Sequence, residues 1–155
     1  MRQLFIALIL SLSFMPQLSQ AAAVAPPPSL AVKAYLLTDF NSGTIIATHK
    51  KDERVEPASL TKIMTAYVTF DAIQQGHLKL DQTLPVSEKA WKVEGSKMFI
   101  EPNKPVTVDE LLHGMIIQSG NDASITLAEG VAGSEEQFAQ MMNKQATKLG
   151  MTNTR

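Results

Sequence analysis

"EPASLTKIMTAYV" (residues 56–68) decides how this chain is read. It sets Ser59 and Lys62 three positions apart at the head of a run in which Leu60, Ile63, Met64, Tyr67 and Val68 fall at helical spacing. Pro57 fits the first turn of a helix, where its missing N–H costs nothing, and Gly76 stops the run after Ile73. The pattern predicts one long, mostly buried helix. Residues three apart on a helix are neighbours, so the Lys62 amine can reach the Ser59 hydroxyl. The helix N-terminus adds free N–H groups and positive potential, both suited to stabilising an alkoxide or an acyl-transfer oxyanion. A serine hydroxyl is a poor nucleophile until a base removes its proton, and a lysine can do this only when neutral. Ser-x-x-Lys by itself is a common pattern, and on the pair alone the better reading is a cap or surface serine beside a solvated charge.

A second element stands sixty residues after Ser59, where "QSGND" (residues 118–122) carries Ser119 and Asn121. Gly120 breaks the helical period, and Ser and Asn favour turns, so these residues read as a loop between two helices. Such a loop can bring a hydroxyl and a carboxamide to a Ser/Lys pair. That supplies a proton path to a leaving amine and an orienting partner for the lysine or the substrate. Its composition also suits a plain turn and helix cap.

The flanking segments predict a hairpin followed by a cluster of helices. Residues 31–40 and 44–49 are rich in β-branched and apolar side chains and are separated by Asn41-Ser42-Gly43, a turn sequence. Residues 78–93 are mixed, with Ser87 capping a short helix, and residues 101–105 read as loop. Thr107 and Glu110 have capping-box spacing ahead of Leu111, Leu112, Met115 and Ile116, which line one face. A further helix is expected over residues 122–131, with Asp122 as its cap. Ser134 and Gln137 repeat the capping-box spacing before a last helix, marked by Phe138, Met141, Met142 and Leu149 and ended by Gly150.

The N-terminal segment "MRQLFIALILSLSFMPQLSQAAA" has the layout of a secretory signal: Arg2, a short apolar run from Leu4 to Phe14, and a small-x-small site at Ser19-Gln20-Ala21. Residues 1–21 are therefore expected to be a signal peptide and residues 22–30 a Pro-rich tether, leaving residues 31–155 as the domain. The apolar run is shorter than the roughly 20 residues a membrane span needs. The net charge of −1 and the scattered basic residues give no support for nucleic-acid binding. The absence of cysteine excludes thiol catalysis, thiolate metal sites and disulfides.

Taken together, Ser59-x-x-Lys62 and Ser119-x-Asn121 are two parts of the three-part motif set of β-lactamases and penicillin-binding proteins. "EPASLTKIMTAYV", "GSKMF" and "QSGNDAS" closely resemble the low-molecular-mass penicillin-binding proteins that are serine D-alanyl-D-alanine carboxypeptidases, in order from about Ala31 to Arg155. The resemblance implies an α+β, β-lactamase/DD-peptidase-like fold: a helical cluster on an antiparallel sheet, here incomplete, with an N-terminal hairpin and a helical subdomain. It implies Ser59 as acyl-ester nucleophile, Lys62 as general base, Ser119 as proton relay and Asn121 as the residue that orients lysine and substrate. "EGSKMF" resembles the loop bordering the cleft, where support is expected and not chemistry. The implied substrates are peptidoglycan stem peptides, with β-lactams as covalent inhibitors, no cofactor or metal, and a periplasmic location.

No Lys-Thr-Gly follows Ser119, so the strand with which the family binds the substrate carboxylate has no counterpart in this sequence. The family's C-terminal β domain and its amphipathic membrane anchor are also without counterparts. The chain therefore reads as the front part of a longer protein, and residues 22–155 alone are expected to be unstable or inactive. Three alternatives stand beside the carboxypeptidase: a β-lactamase of the same fold, a DD-endopeptidase that cuts crosslinks, and a non-catalytic periplasmic scaffold. Gly120 resembles the carboxypeptidases, because class A lactamases usually carry Asp there.

Other residues invite chemistry but have simpler readings. Asp109 and His113 match an exposed i,i+4 pair, and His49 and His77 read as surface residues. Met64, Met115 and Met141 are expected to pack in the core. No HExxH or carboxylate cluster has metal spacing.

Overall fold

The computed structural model describes residues 26–155, so the expected signal peptide at residues 1–21 lies outside the described residues. The chain divides into two compact units at Arg54/Val55. Residues 26–30 are exposed and without regular structure.

In the first unit, β1 (Tyr35–Thr38) pairs antiparallel with β2 (Ile45–His49), Tyr35 opposite His49. The expected hairpin is present with a first strand shorter at both ends, stopping before Asp39, which builds the turn. Its carboxylate accepts the Ser42 N–H and hydroxyl, both at 2.7 Å, and Gly43 N–H bonds back to the Asp39 carbonyl. Those Ser42 bonds, the backbone one first, hold the Asp39 carboxyl below the usual range.

The second unit begins with a 3₁₀ turn at Ala58–Thr61 that runs into α1 (Lys62–Gln74). The two-residue strands β3 (Thr83–Leu84) and β4 (Val106–Thr107) pair antiparallel, bracketing α2 (Glu88–Lys92) and the loop that follows it. β3 falls in the stretch expected to be mixed, and β4 follows directly on the expected loop at residues 101–105 and takes in the cap residue Thr107. Then follow α3 (Val108–Gln118), α4 (Asn121–Ala132) and α5 (Glu135–Lys148). The fourth helix is central, touching α1, α2, α3, α5 and β3.

The caps follow the sequence. Ser87 accepts the Ala90 N–H. Thr107 Oγ1 accepts the Glu110 N–H at 3.2 Å while Glu110 Oε2 accepts the Thr107 N–H at 2.9 Å, closing a full capping box. The second box is half formed, with Ser134 accepting the Gln137 N–H.

The buried faces differ from expectation in three helices. The stripe buried by α1 is Thr65, Val68, Thr69 and Ala72, whereas Leu60 (68 %), Ile63 (69 %) and Tyr67 (46 %) are exposed. The helix is therefore not mostly buried. Thr69 can sit in the core because its hydroxyl donates to the Thr65 carbonyl at 2.8 Å. In α3, Ile116 is exposed, and Val108, Gly114 and Met115 are buried beside Leu111 and Leu112. In α5, Phe138 packs with Val68 and Ala128, while Met141 and Leu149 face outward. Met64 packs against this cluster from its edge, and Met115 lies in the main core. His113 and Asp109 are exposed, with His113 Nδ1 2.8 Å from the Asp109 carbonyl oxygen.

Candidate active site

The site is built where the 3₁₀ turn, the α3–α4 junction and the loop at residues 94–100 meet, all within residues 55–155. In a 3₁₀ helix, side chains at i and i+3 eclipse, so the turn stacks Ser59 and Lys62 along one edge. Ser59 therefore stands just before the α-helix proper, one turn earlier than the helical pattern alone suggests. The residue ahead of it, Ala58, has φ +46°, a left-handed conformation that costs a non-glycine residue about 1–2 kcal/mol.

Ser119 is the C-cap of α3, again left-handed at φ 56°, and its N–H and that of Gly120 both reach the Gly114 carbonyl. Asn121 opens α4. Its side chain joins three parts of the site: Lys62 Nζ donates to Asn121 Oδ1 at 2.7 Å, and Asn121 Nδ2 donates to the Glu94 carbonyl at 2.8 Å. A carbonyl can only accept, so the Glu94 contact fixes which end of the amide faces the lysine. The Asn121 N–H donates to the Ser96 carbonyl at 2.7 Å, so the loop grips backbone and side chain together.

Ser59, Lys62 and Ser119 line one groove of about 420 Å³, whose apolar wall includes Ile63, Tyr67, Phe70 and Ile116. Of the apolar residues of α1 and α3 that are missing from the core, Ile63, Tyr67, Phe70 and Ile116 wall this groove, and Ile117 does not line it. All four predicted site residues thus belong to one locality: Lys62 and Asn121 are directly bonded, and the two serines border the same space. Among the described residues neither serine hydroxyl is engaged in a side-chain hydrogen bond, which leaves both open to a bound molecule.

Three supporting residues carry no signal in the motif spacing. Asp122, read as a helix cap, is fully buried within the first turn of α4. Its Oδ1 accepts from Met98 N–H (3.0 Å) and Ala123 N–H (2.9 Å), and its Oδ2 from Phe99 N–H (2.9 Å) and Ile100 N–H (3.3 Å). Gly95 has φ +88°, and a Cβ there would lie 2.8 Å from Asn121 Nδ2. Gly114 faces Met98 so closely that a Cβ would overlap the Met98 sulfur. Adjacency to Asn121 and the glycine in "EGSKMF" were the only sequence hints of this support.

Comparison with known proteins places the chain in a family. Residues 20–155 match the family model of D-alanyl-D-alanine carboxypeptidases. The chain belongs to the D-alanyl-D-alanine carboxypeptidase family. It is 44% identical over 147 residues to the D-alanyl-D-alanine carboxypeptidase DacC of Escherichia coli (strain K12), covering 91% of this chain and 37% of that protein. A D-alanyl-D-alanine endopeptidase of Pseudomonas aeruginosa is 31% identical over 159 residues, covering 97% of this chain and 49% of that one. The crystal structure of D-alanyl-D-alanine carboxypeptidase DacD from Francisella tularensis superposes with a TM-score of 0.81 at 40% identity, over 85% of this chain and 32% of that one. Penicillin binding protein 5 from Haemophilus influenzae gives the same TM-score at 39% identity, over 85% and 39%.

The fold is accordingly that of the carboxypeptidase family, α+β and incomplete here. The chain spans about a third to a half of the length of these relatives.

Proposed function

We propose that this chain carries the acylation half of a serine-type D-Ala-D-Ala carboxypeptidase. The observation that carries the reading is the 2.7 Å bond between Lys62 and Asn121, made beside a groove that Ser59 and Ser119 share. A lone Ser-x-x-Lys on a helix surface would have no reason to bind an asparagine from a distant turn.

In the proposed reaction, neutral Lys62 takes the Ser59 proton as Ser59 Oγ attacks the carbonyl joining the two terminal D-alanines of a stem peptide. The C–N bond breaks as Ser119 passes its hydroxyl proton to the departing D-alanine amine and takes in its place the proton Lys62 received from Ser59, which leaves the lysine neutral again. Water then attacks the ester, releasing the shortened peptide and returning the proton to Ser59. Asn121 holds the lysine amine in line through their 2.7 Å bond. A β-lactam enters the same path, but ring opening keeps its leaving amine attached. Peptidoglycan stem peptides are thus the substrates and β-lactams covalent inhibitors. The signal-like residues 1–21 support export to the periplasm, with residues 22–30 as a spacer. The residues named need no cofactor.

The likeness to the Pseudomonas aeruginosa endopeptidase favours, as a second reading, cleavage within crosslinks by the same serine chemistry. Fluorescent penicillin labelling of the complete gene product that contains this chain tests the acyl-serine step. Wild type should label and Ser59→Ala should not. Labelling of both would remove Ser59 as nucleophile, and labelling of neither would favour a non-catalytic scaffold. Stem pentapeptide and crosslinked dimer, offered separately, divide the carboxypeptidase from the endopeptidase.

A further inference from the structure

We propose that Asp122 is a positioning residue, whose buried carboxylate sets the loop at residues 94–100 and, through that loop, the Lys62–Asn121 pair. This inference rests on the acyl-serine reading only for its rate measurement. The carboxylate is fully buried and has no basic side chain among its partners; each oxygen accepts two backbone N–H groups. Three of those four donors come from consecutive residues, Met98, Phe99 and Ile100, more than twenty positions earlier in the sequence. An ordinary N-cap acts on its own helix, as Ser87 and Thr107 do here. Asp122 gives its own helix one bond and the loop three.

The same loop holds Asn121 from its other end. Glu94 and Ser96 offer their carbonyls to Asn121, while Met98 to Ile100 offer their N–H groups to Asp122. Two adjacent residues of α4 therefore clamp one loop with opposite polarity, and the register of the loop fixes where Asn121 Oδ1 meets Lys62. The clamp also explains Phe99, which is 79 % exposed and left-handed at φ 65°. An exposed phenylalanine gains little from burial to offset that conformation, whereas a charge-assisted hydrogen bond at 2.9 Å on its N–H can hold it.

The test uses the complete gene product with Asp122→Asn, which keeps the shape but presents an NH₂ to donors that need an acceptor. Amide hydrogen exchange at Met98, Phe99, Ile100 and Asn121 should quicken by about tenfold or more, with Phe138 in α5 unchanged. The Asn121 side-chain amide resonance should move, and the limiting rate of penicillin acylation should fall by about tenfold with pre-acylation affinity retained. Adding Phe99→Gly, which adopts positive φ without strain, should restore about threefold of the lost protection and rate. A merely structural role for Asp122 would restore protection without moving the acylation rate.

Unchanged exchange at the three loop amides, or lost protection with acylation and the Asn121 resonance intact, would overturn the proposal. Failure of the wild type to react with penicillin would sink the acyl-serine reading alone, because exchange and the Asn121 resonance still decide the positioning role. Should Asp122→Asn not fold, the wild-type amides decide: slow exchange at all three supports the clamp, and free exchange at any of them removes it.

Discussion

Asn121 Oδ1 and Lys62 Nζ lie 2.7 Å apart although 59 positions separate them in the chain. The bond puts the lysine amine at the meeting of two elements instead of leaving it to swing on a four-carbon stem. Truncation should therefore remove the proposed base and not the fold. In Lys62→Ala, penicillin acylation of the complete gene product is expected to slow by at least about 10²-fold. The lost hydrogen bond should cost on the order of 1 kcal/mol of stability. Stopped-flow acylation and urea melts measure the two effects separately, and unchanged acylation across neutral pH would remove the lysine from this role.

Gly95 and Gly133 form a matched pair. Both have left-handed backbone, φ +88° and φ +81°, so an alanine at either should destabilise by about 1–2 kcal/mol. They differ in what the new methyl meets: Asn121 Nδ2 at 2.8 Å for Gly95, and nothing within 4 Å for Gly133. Similar melting-temperature losses are expected, with acylation lost in Gly95→Ala and kept in Gly133→Ala. Equal acylation in the two variants would show that Asn121 tolerates displacement.

Gly114 supplies both a carbonyl for the Ser119 turn and the flat surface against which Met98 packs. Gly114→Ala forces Met98 and its loop aside, an overpacking expected to cost about 1–3 kcal/mol. Shortening the obstacle should relieve it. Gly114→Ala with Met98→Ala should be more stable than the sum of the single losses by at least about 0.5 kcal/mol. Additive losses in denaturant melts would mean that the two residues do not press on each other.

The sequence was most legible where local chemistry acts alone. The Thr107/Glu110 box, the Ser87 cap and the hairpin turn each depend on residues within five positions, and all three form. It was least legible where burial depends on what covers a face. Leu60, Ile63, Tyr67 and Ile116 are apolar at helical spacing, yet they line the groove, and the core takes Thr65 and Thr69 instead. Periodicity reports that a face is apolar but not which side the rest of the chain occupies. The site was half legible. Ser59, Lys62, Ser119 and Asn121 are marked by motif, whereas Asp122 looked like a cap because its loop partners lie more than twenty residues away.

The capping box at the head of α3 gives a pH dependence with a definite sign. The Thr107 hydroxyl first, and its N–H second, hold the Glu110 carboxyl below its ordinary value. Unfolded, a glutamate titrates near about 4.3. The folded state therefore favours the ionised form, and its contribution is complete above that pH and lost as pH falls through the lower folded value. Glu110→Gln keeps an acceptor for the box but cannot titrate. The stability difference between wild type and Glu110→Gln should thus be flat above about pH 6, shrink through about pH 4, and level off in stronger acid. Urea melts of both proteins along the same pH series make the comparison. Parallel curves across the acid range would show that the Glu110 carboxylate contributes nothing through its charge.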